Sequence, residues 1–403
     1  MPDILRALRH RNYRLYFSGQ LVSLAGTWMQ MIAMSWLTYR LTDSTLMLGV
    51  VSFAGQIPIL AVAPLGGVLS DRFDKRVMML WTQSLALVQA VVLATLTLTG
   101  AIHPWHLVLM SLSLGLINAI DTPTRQSFLV DLVDDRDDLP NAIALNSFTM
   151  NSARFLGPSI GGIVVGLAGE GICFLFNALS YLAVIVALWA MRTRHHSRAH
   201  LPAGEAMRQG YRYAFGIPQI RQLLYLVAAA SFFATPYVVL LPYFAREIYA
   251  GGAQTFGFMS ASAGAGALLG TLYLAARQSV VGLDRVIGNA VLSAGCALAV
   301  FSLSDALLLA IPALAILGFS IICIIASSNT LIQSIVKDEM RGRVMALFTV
   351  AFLGIAPLGS LTAGGVSHQF GARATLLGCA LALLAAGVAF IRLRQPYAAP
   401  DPA

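Results

Sequence analysis

The sequence predicts an all-α integral membrane fold: twelve transmembrane helices in two six-helix pseudo-repeats. Three observations carry that prediction. Of 403 residues, 58% are hydrophobic and only 11% charged, against roughly 25% charged in an ordinary soluble domain. Apolar runs of about 20 residues, each long enough to cross a hydrocarbon core of roughly 30 Å as a helix, recur along almost the whole chain. The second half also repeats landmarks of the first. Leu114-Gly115 recurs as Leu317-Gly318, Ala144-Leu145 as Ala346-Leu347, Gly157 as Gly359 and Gly162 as Gly364, always 202 or 203 residues later.

The spans are expected at 15–39, 45–69, 77–100, 105–130, 142–168, 172–191, 220–246, 254–276, 286–303, 306–333, 343–367 and 372–393. Helices are required because lipid satisfies no backbone hydrogen bonds, and the runs are too long and too evenly apolar for barrel strands. The first run follows a basic N-terminus and is longer than a signal-peptide core of roughly 7 to 15 residues, so it is expected to stay as the first helix. The longest polar stretch, 192–218, separates an N-terminal bundle (1–191) from a C-terminal one (219–403). Its Arg-rich face fits either a short helix on the inner leaflet or a solvated linker.

An even number of crossings puts both termini on one side, and the basic residues choose the cytoplasmic side. Inner segments then hold Arg6, Arg9, Arg11, Arg14, Arg72, Lys75, Arg76, the run from Arg192 to Arg221, Lys337, Arg341, Arg343, Arg392 and Arg394. Arg40, Arg246 and Arg373 remain outside. The acidic stretch Asp131 to Asp138 is the one inner loop of opposite sign. The net charge of +8 is spread through short loops without forming a basic face, which excludes nucleic acid as partner. The lipid bilayer is the expected environment, a bacterial inner membrane, with the chain a monomer.

Cys173, Cys296, Cys323 and Cys379 each stand alone inside an apolar run, which excludes a disulfide framework. No His-Glu-x-x-His occurs, and the histidines fall at span ends or in loops, so neither a metal centre nor a membrane-embedded enzyme is expected. The only lysines, Lys75 and Lys337, lie outside any phosphate-binding loop, so no nucleotide and no cofactor is expected. A transmembrane sensor is disfavoured because no soluble output domain is evident.

The loop Gly67-Val-Leu-Ser-Asp71-Arg72-Phe-Asp74-Lys75-Arg76 resembles the signature loop of the major facilitator superfamily. Three further stretches resemble its drug-efflux branch, which includes enterobactin exporters: Asp121-Thr-Pro123-Thr-Arg125-Gln126, Leu139-Pro140-Asn141-Ala-Ile-Ala-Leu-Asn146, and Arg154-Phe-Leu-Gly157-Pro158-Ser-Ile-Gly161-Gly162. The resemblance spans essentially the whole chain. It departs at Asp74, where the family loop usually has Gly, and at Arg277 to Arg285, which lacks a second copy of the loop signature. It implies secondary-active, proton-coupled efflux of small hydrophobic or amphipathic molecules by alternating access. A facilitator or importer of the same fold is the alternative.

At a cytoplasmic turn, Gly67, Asp71, Arg72, Lys75 and Arg76 form an expected gate, because a carboxylate is stabilised at a helix N-terminus. The resemblance implies the eleventh helix as its partner. Arg154 lies about 18 Å along its helix and Asp121 about 15 Å from the inner end of the fourth. A charge at such depth costs at least about 2.5 to 3.5 kcal/mol, so Arg154 needs a partner. Asp121, with Arg125 one turn away, is the expected one, either as a static brace or as a site for an anion or proton. Gly157, Pro158, Gly161 and Gly162 are expected to serve close packing and bending. Trp28, Gln30, Met31, Gln56, Asn118 and Tyr237 fall near mid-membrane, a mixture suited to an amphipathic cargo.

Overall fold

The computed structural model describes residues 3–133, 135–191, 204–277 and 279–393. A short 3-10 helix, Asp3–Arg9, leads into α1 (Arg11–Thr42), α2 (Thr45–Arg72), α3 (Lys75–Leu98), α4 (Pro104–Asp131), α5 (Leu139–Ala168) and α6 (Glu170–Ala190). There follow α7 (Gly204–Gly216), α8 (Pro218–Phe233), α9 (Pro236–Tyr243), α10 (Ala253–Ala275), α11 (Leu283–Leu303), α12 (Leu307–Ile335), α13 (Asp338–Thr349), α14 (Ala356–Phe370) and α15 (Ala372–Leu393).

Twelve crossings result, because α8 continues into α9 and α13 into α14. Ten of them are long and apolar enough to span a bilayer by composition alone. The other two, α1 and α5, are full-length helices diluted by polar residues, Gln20 and Gln30 in one, Asn146 and Arg154 in the other. That dilution is itself informative, since a polar side chain in a crossing must find a protein partner.

The chain divides into two compact units, the first made of α1 to α6 with Gly251–Ala261, the second of α7 to α9, α10 from Ser262, and α11 to α15. Within the first, α4 packs on α2, α3 on α4 and α6, and α1 on α5 and α6. The second pairs α11 with α12 and α15, and α8 with α12, α14 and α15.

The repeated Leu-Gly pair marks the same close helix crossing in both units. A Cβ on Gly115 would sit 2.5 Å from the carbonyl oxygen of Gly55 on α2. One on Gly318 would collide with the carbonyl oxygen of Ala263 on α10, and Gly266 faces Ala315 in the same way. Backbones approach this closely only where no side chain intervenes, the usual basis of helix association in lipid. A second correspondence lies at the last turn of each unit. Gly169 (φ 83°) joins α5 to α6 and Gly371 (φ 85°) joins α14 to α15, a left-handed conformation that glycine adopts without steric cost.

The sequence reading expected Gly157, Pro158, Gly161 and Gly162 to serve close packing and bending. Through Gly157 and Pro158, α5 runs unbroken. Its small residues serve packing: Gly157 faces Trp28, Gly161 faces Met29, and Gly162 faces Gly257 and the Ala253 carbonyl. The interruptions occur in the second unit. Between α8 and α9 the chain turns at Ala234–Thr235 just before Pro236, and between α13 and α14 a π-helical turn, Val350–Gly354, precedes Pro357. Proline lacks the donor that continues a ladder and clashes with the preceding turn, so it stabilises a break that a π turn has begun. Gly359 brings α14 onto the backbone of Phe232 at the first of these breaks.

Of the expected linker, residues 192–203 lie outside the described residues. Its remainder forms α7, which packs on α13 and α8. Gln209 accepts from Arg343 Nη1 at 2.6 Å, and Tyr213 Oη accepts from the Lys337 N–H at 3.3 Å.

Gly318→Leu is expected to prevent stable assembly of the second unit, because the backbone of Ala263 cannot retreat from the new Cβ. Thermal unfolding of the detergent-solubilised protein checks this: Gly378→Leu, where a Cβ meets nothing within 4 Å, should unfold within a few degrees of wild type, and Gly318→Leu should not.

Candidate functional site in the first unit

Two buried polar clusters run through the first unit. In the first, Asn177 of α6 donates through Nδ2 to Oε1 of Gln30 on α1 (2.7 Å), and Gln30 donates through Nε2 to Oε1 of Gln89 on α3 (3.2 Å). Gln89 in turn donates to the Met110 carbonyl of α4 (3.2 Å). Four helices are tied by one chain of amides with every donor pointing the same way, an arrangement in which each bond polarises the next. Ser180 also donates to Asn177 Oδ1 at 3.0 Å. Gln30, expected near a cargo cavity, is 1% exposed and is bonded through both ends of its amide. Its amide is consumed inside the bundle.

The second cluster centres on Asp121 of α4, 3% exposed. Its Oδ1 accepts from Thr82 Oγ1 at 2.7 Å and from Gln83 Nε2 at 2.9 Å, both on α3. Its Oδ2 lies 3.9 Å from Nε of Arg125, one turn along α4. Arg125 also donates through Nη1 to Oε1 of Gln20 on α1 at 3.3 Å. Around this core, Tyr16 Oη, Gln20 Nε2 and Gln83 Oε1 are buried without a protein hydrogen-bond partner. The carboxylate is thus held by neutral donors and one cation, with unused hydrogen-bonding atoms on neighbouring side chains.

The expected pairing of Asp121 with Arg154 gives way to this arrangement. Asp121 is engaged by α3 and by Arg125, while the guanidinium of Arg154 stands 5.5 Å from the centroid of the Trp28 ring. A cation over an indole face gains quadrupole attraction. Position along a helix does not say which face of it a residue occupies. Thr82, Gln83, Gln89 and Asn177 escaped the sequence reading. Their signal was present, as isolated hydrogen-bonding side chains inside otherwise apolar runs.

At one end of the unit, Gly67, Asp71 and Arg72 fall in the last turns of α2, where side chains lie outside the described residues. Asp74 caps α3, its carboxylate accepting from the N–H groups of Arg76 (2.8 Å) and Val77 (3.3 Å). That explains an acidic residue where the family loop usually has glycine: Asx residues are favoured at the N-cap. Lys75 reaches Asp131 of α4 at 2.6 Å, and Arg76 donates to the carbonyls of Leu188 and Trp189 at the end of α6. Lys75 and Arg76 thus anchor the loop to their own bundle. The acidic loop after α4 is neutralised locally too. Asp138 pairs with Arg6 (3.1 Å) and with His10 (3.0 Å).

Other expected cavity residues are spread over both units. Trp28 and Asn118 are partly exposed and Met31 is exposed on its helix. Gln56 is partly exposed and donates to Ser52 of its own helix at 2.9 Å. Tyr237 is buried in the first turn of α9, beside the break.

Asn177→Leu, nearly isosteric, leaves Gln30 Oε1 without its donor and is expected to cost about 1 to 2 kcal/mol of stability in the membrane protein. The double variant Asn177→Leu with Gln30→Leu should cost less than the sum of the singles, since it removes both ends of the same bond. Unfolding titrations of the three variants check it.

The profile of a family described as transmembrane secretion effectors matches residues 4–401. The chain is 24% identical over 367 residues to a staphyloferrin A transporter of Staphylococcus aureus, covering 89% of this chain and 90% of that protein. It is also 24% identical over 392 residues to the multidrug efflux pump Tap of Mycolicibacterium fortuitum, covering 94% and 95%. Among solved structures it superposes with a TM-score of 0.75, at 15% identity, on a bacterial homologue of the human lysosomal transporter Spinster, covering 95% of this chain and 96% of that one. With matching motifs, twelve crossings and a profile spanning nearly its whole length, the chain belongs to the transmembrane secretion effector family of major facilitator transporters.

Proposed function

We propose that the protein is a proton-coupled exporter of small hydrophobic or amphipathic molecules of the drug or siderophore class. It acts as a monomer in a bacterial inner membrane with both termini cytoplasmic. The buried Asp121 cluster carries this reading: it is a carboxylate with unused hydrogen-bonding atoms beside it, inside an apolar crossing of a chain whose relatives include a multidrug efflux pump.

The cluster supports a specific proton-linked change. As a carboxylate, Asp121 accepts from Gln83 Nε2, while Gln83 Oε1 has no partner. Protonated, Asp121 becomes a donor. Rotation of the Gln83 amide then offers Oε1 to the new O–H and satisfies the orphaned acceptor. Loss of the carboxylate charge also weakens the hold on Arg125 and leaves Gln20 as its neighbour. Each proton therefore redirects hydrogen bonds among α1, α3 and α4, a local event able to bias a two-state equilibrium.

In alternating access, two bundles, 1–191 and 219–403, move as bodies joined by 192–218. The breaks at Ala234–Thr235 and Val350–Gly354 provide flexible points in crossings of the second bundle. Asp71 and Arg72 are proposed as the gating residues, with Gly67 allowing close approach and with Lys75 and Arg76 fixing the loop to the first bundle. Trp28, Met31, Gln56, Asn118 and Tyr237 are proposed as cargo contacts. A membrane potential contributes about 2.3 kcal/mol per charge per 100 mV, enough for a roughly fifty-fold gradient with one proton.

The test is uptake of fluorescent amphipathic compounds into energised inverted vesicles. Wild type should concentrate at least one compound, an uncoupler should abolish the accumulation, and Asp121→Asn should lose it while keeping normal insertion and thermal stability. Equilibration that ignores the uncoupler would identify a facilitator and overturn the proton-coupled reading. A fully active Asp121→Asn would move the proton site elsewhere.

A further inference from the structure

We propose that a groove in the second unit, between α8, α14 and α15, binds the acyl chain of a membrane glycerophospholipid. The groove encloses about 460 Å³, within the range of ordinary ligand sites, and its walls include Phe232 and Phe233 of α8, Ala363 of α14, and Ala374, Gly378 and Cys379 of α15.

Its origin is legible in the internal repeat. Gly169 and Gly371, with matching backbone conformation, fix the offset between α6 and α15 at 371 − 169 = 202 residues. At that offset Ala374 stands where the first unit has Ile172, and Gly378 where it has Phe176. Two bulky side chains are thus replaced by a methyl and a hydrogen on one face of α15. A Cβ on Gly378 would meet nothing within 4 Å, whereas Gly359 across the groove is held against the backbone of Phe232. The space comes from α15, while α14 packs closely on α8 beside it.

The chemistry of the wall selects the occupant. No charged residue lines it. Its two hydroxyls are already committed to their own helices, Thr362 donating to the carbonyl of Leu358 at 2.8 Å and Thr375 to that of Gly371 at 2.8 Å. Sites that recognise a particular small molecule carry a few polar groups placed to orient it. With its hydroxyl protons spent on backbone carbonyls, this wall rewards apolar contact and shape, which suits an aliphatic chain better than an amphipathic cargo. The groove also lies at the end of the bundle where α14 turns into α15. There Arg373, in the first turn of α15, supplies a guanidinium to a phosphate headgroup, and His368, in the last turn of α14, supplies a hydrogen-bonding ring. Arg373, paired with Asp305, remains partly exposed.

The experiment reconstitutes the full-length protein in liposomes containing a phosphatidylglycerol with a photoactivatable diazirine in one acyl chain and maps the adducts by mass spectrometry. Adducts should concentrate on α14 and α15 between residues 362 and 379. They should fall several-fold in the variant Ala374→Ile with Gly378→Phe, which restores the first unit's residues, and should persist in excess fluorescent cargo. Should that variant fail to fold, Cys379 in the wild type serves instead. Its labelling by an apolar maleimide should slow when long-chain phospholipid replaces detergent, while labelling of the exposed Cys296 on α11 should not. Adducts spread evenly over all apolar helices, or unchanged in the filled variant, would overturn the proposal. Displacement by cargo would make the groove a transport site instead.

Discussion

Hydrocarbon cannot hydrogen-bond, and most of this structure follows from that constraint. The backbone answers it by becoming helical in every crossing. Side chains answer it by finding one another. The amide chain from Asn177 through Gln30 and Gln89 to the Met110 carbonyl is the clearest case, for each residue alone would be a destabilising polar group in an apolar helix. Linked, they fix the rotation of α1, α3 and α6 about their own axes, which apolar packing among near-equivalent leucines and valines specifies only weakly.

Ionic groups obey the same rule at the helix ends. Arg40 forms two contacts with Glu170, at 2.9 and 3.0 Å, tying α1 to α6 at the end opposite to Lys75–Asp131 and Arg6–Asp138. At the acidic stretch after α4, Asp131 and Asp138 are thus met by cations of their own unit. Asp121 is the exception that invites function. It is buried as deeply as the structural amides, but its neighbours retain unused hydrogen-bonding atoms, so its environment is compatible with more than one arrangement.

The two units meet the constraint with different means. In the first, polar ties cross the bundle. The second has helix breaks, stabilised by Pro236 and Pro357, together with close backbone contacts at Gly318 and Gly359 and a small-residue face on α15. Duplication thus preserved the frame, visible in the shared Leu-Gly crossing and the paired Gly169 and Gly371, while the contents diverged.

Hydropathy, glycine spacing and the distribution of arginines were sufficient to define the crossings, the internal repeat and the family, because each is a sum over a local window or a comparison of the chain with itself. Which residues meet was decided only by tertiary structure. Asp121 faces Thr82 and Gln83 while Arg154 faces Trp28, because the choice depends on helix rotation and on the neighbouring helix. The breaks in α8–α9 and α13–α14 were likewise hidden, since proline in a membrane helix permits a kink without requiring one. What the sequence determined by itself was which segments cross the membrane and how the second half repeats the first. The partner of each polar group was settled by packing, since in lipid a hydrogen bond must be supplied by whichever helix stands next to it.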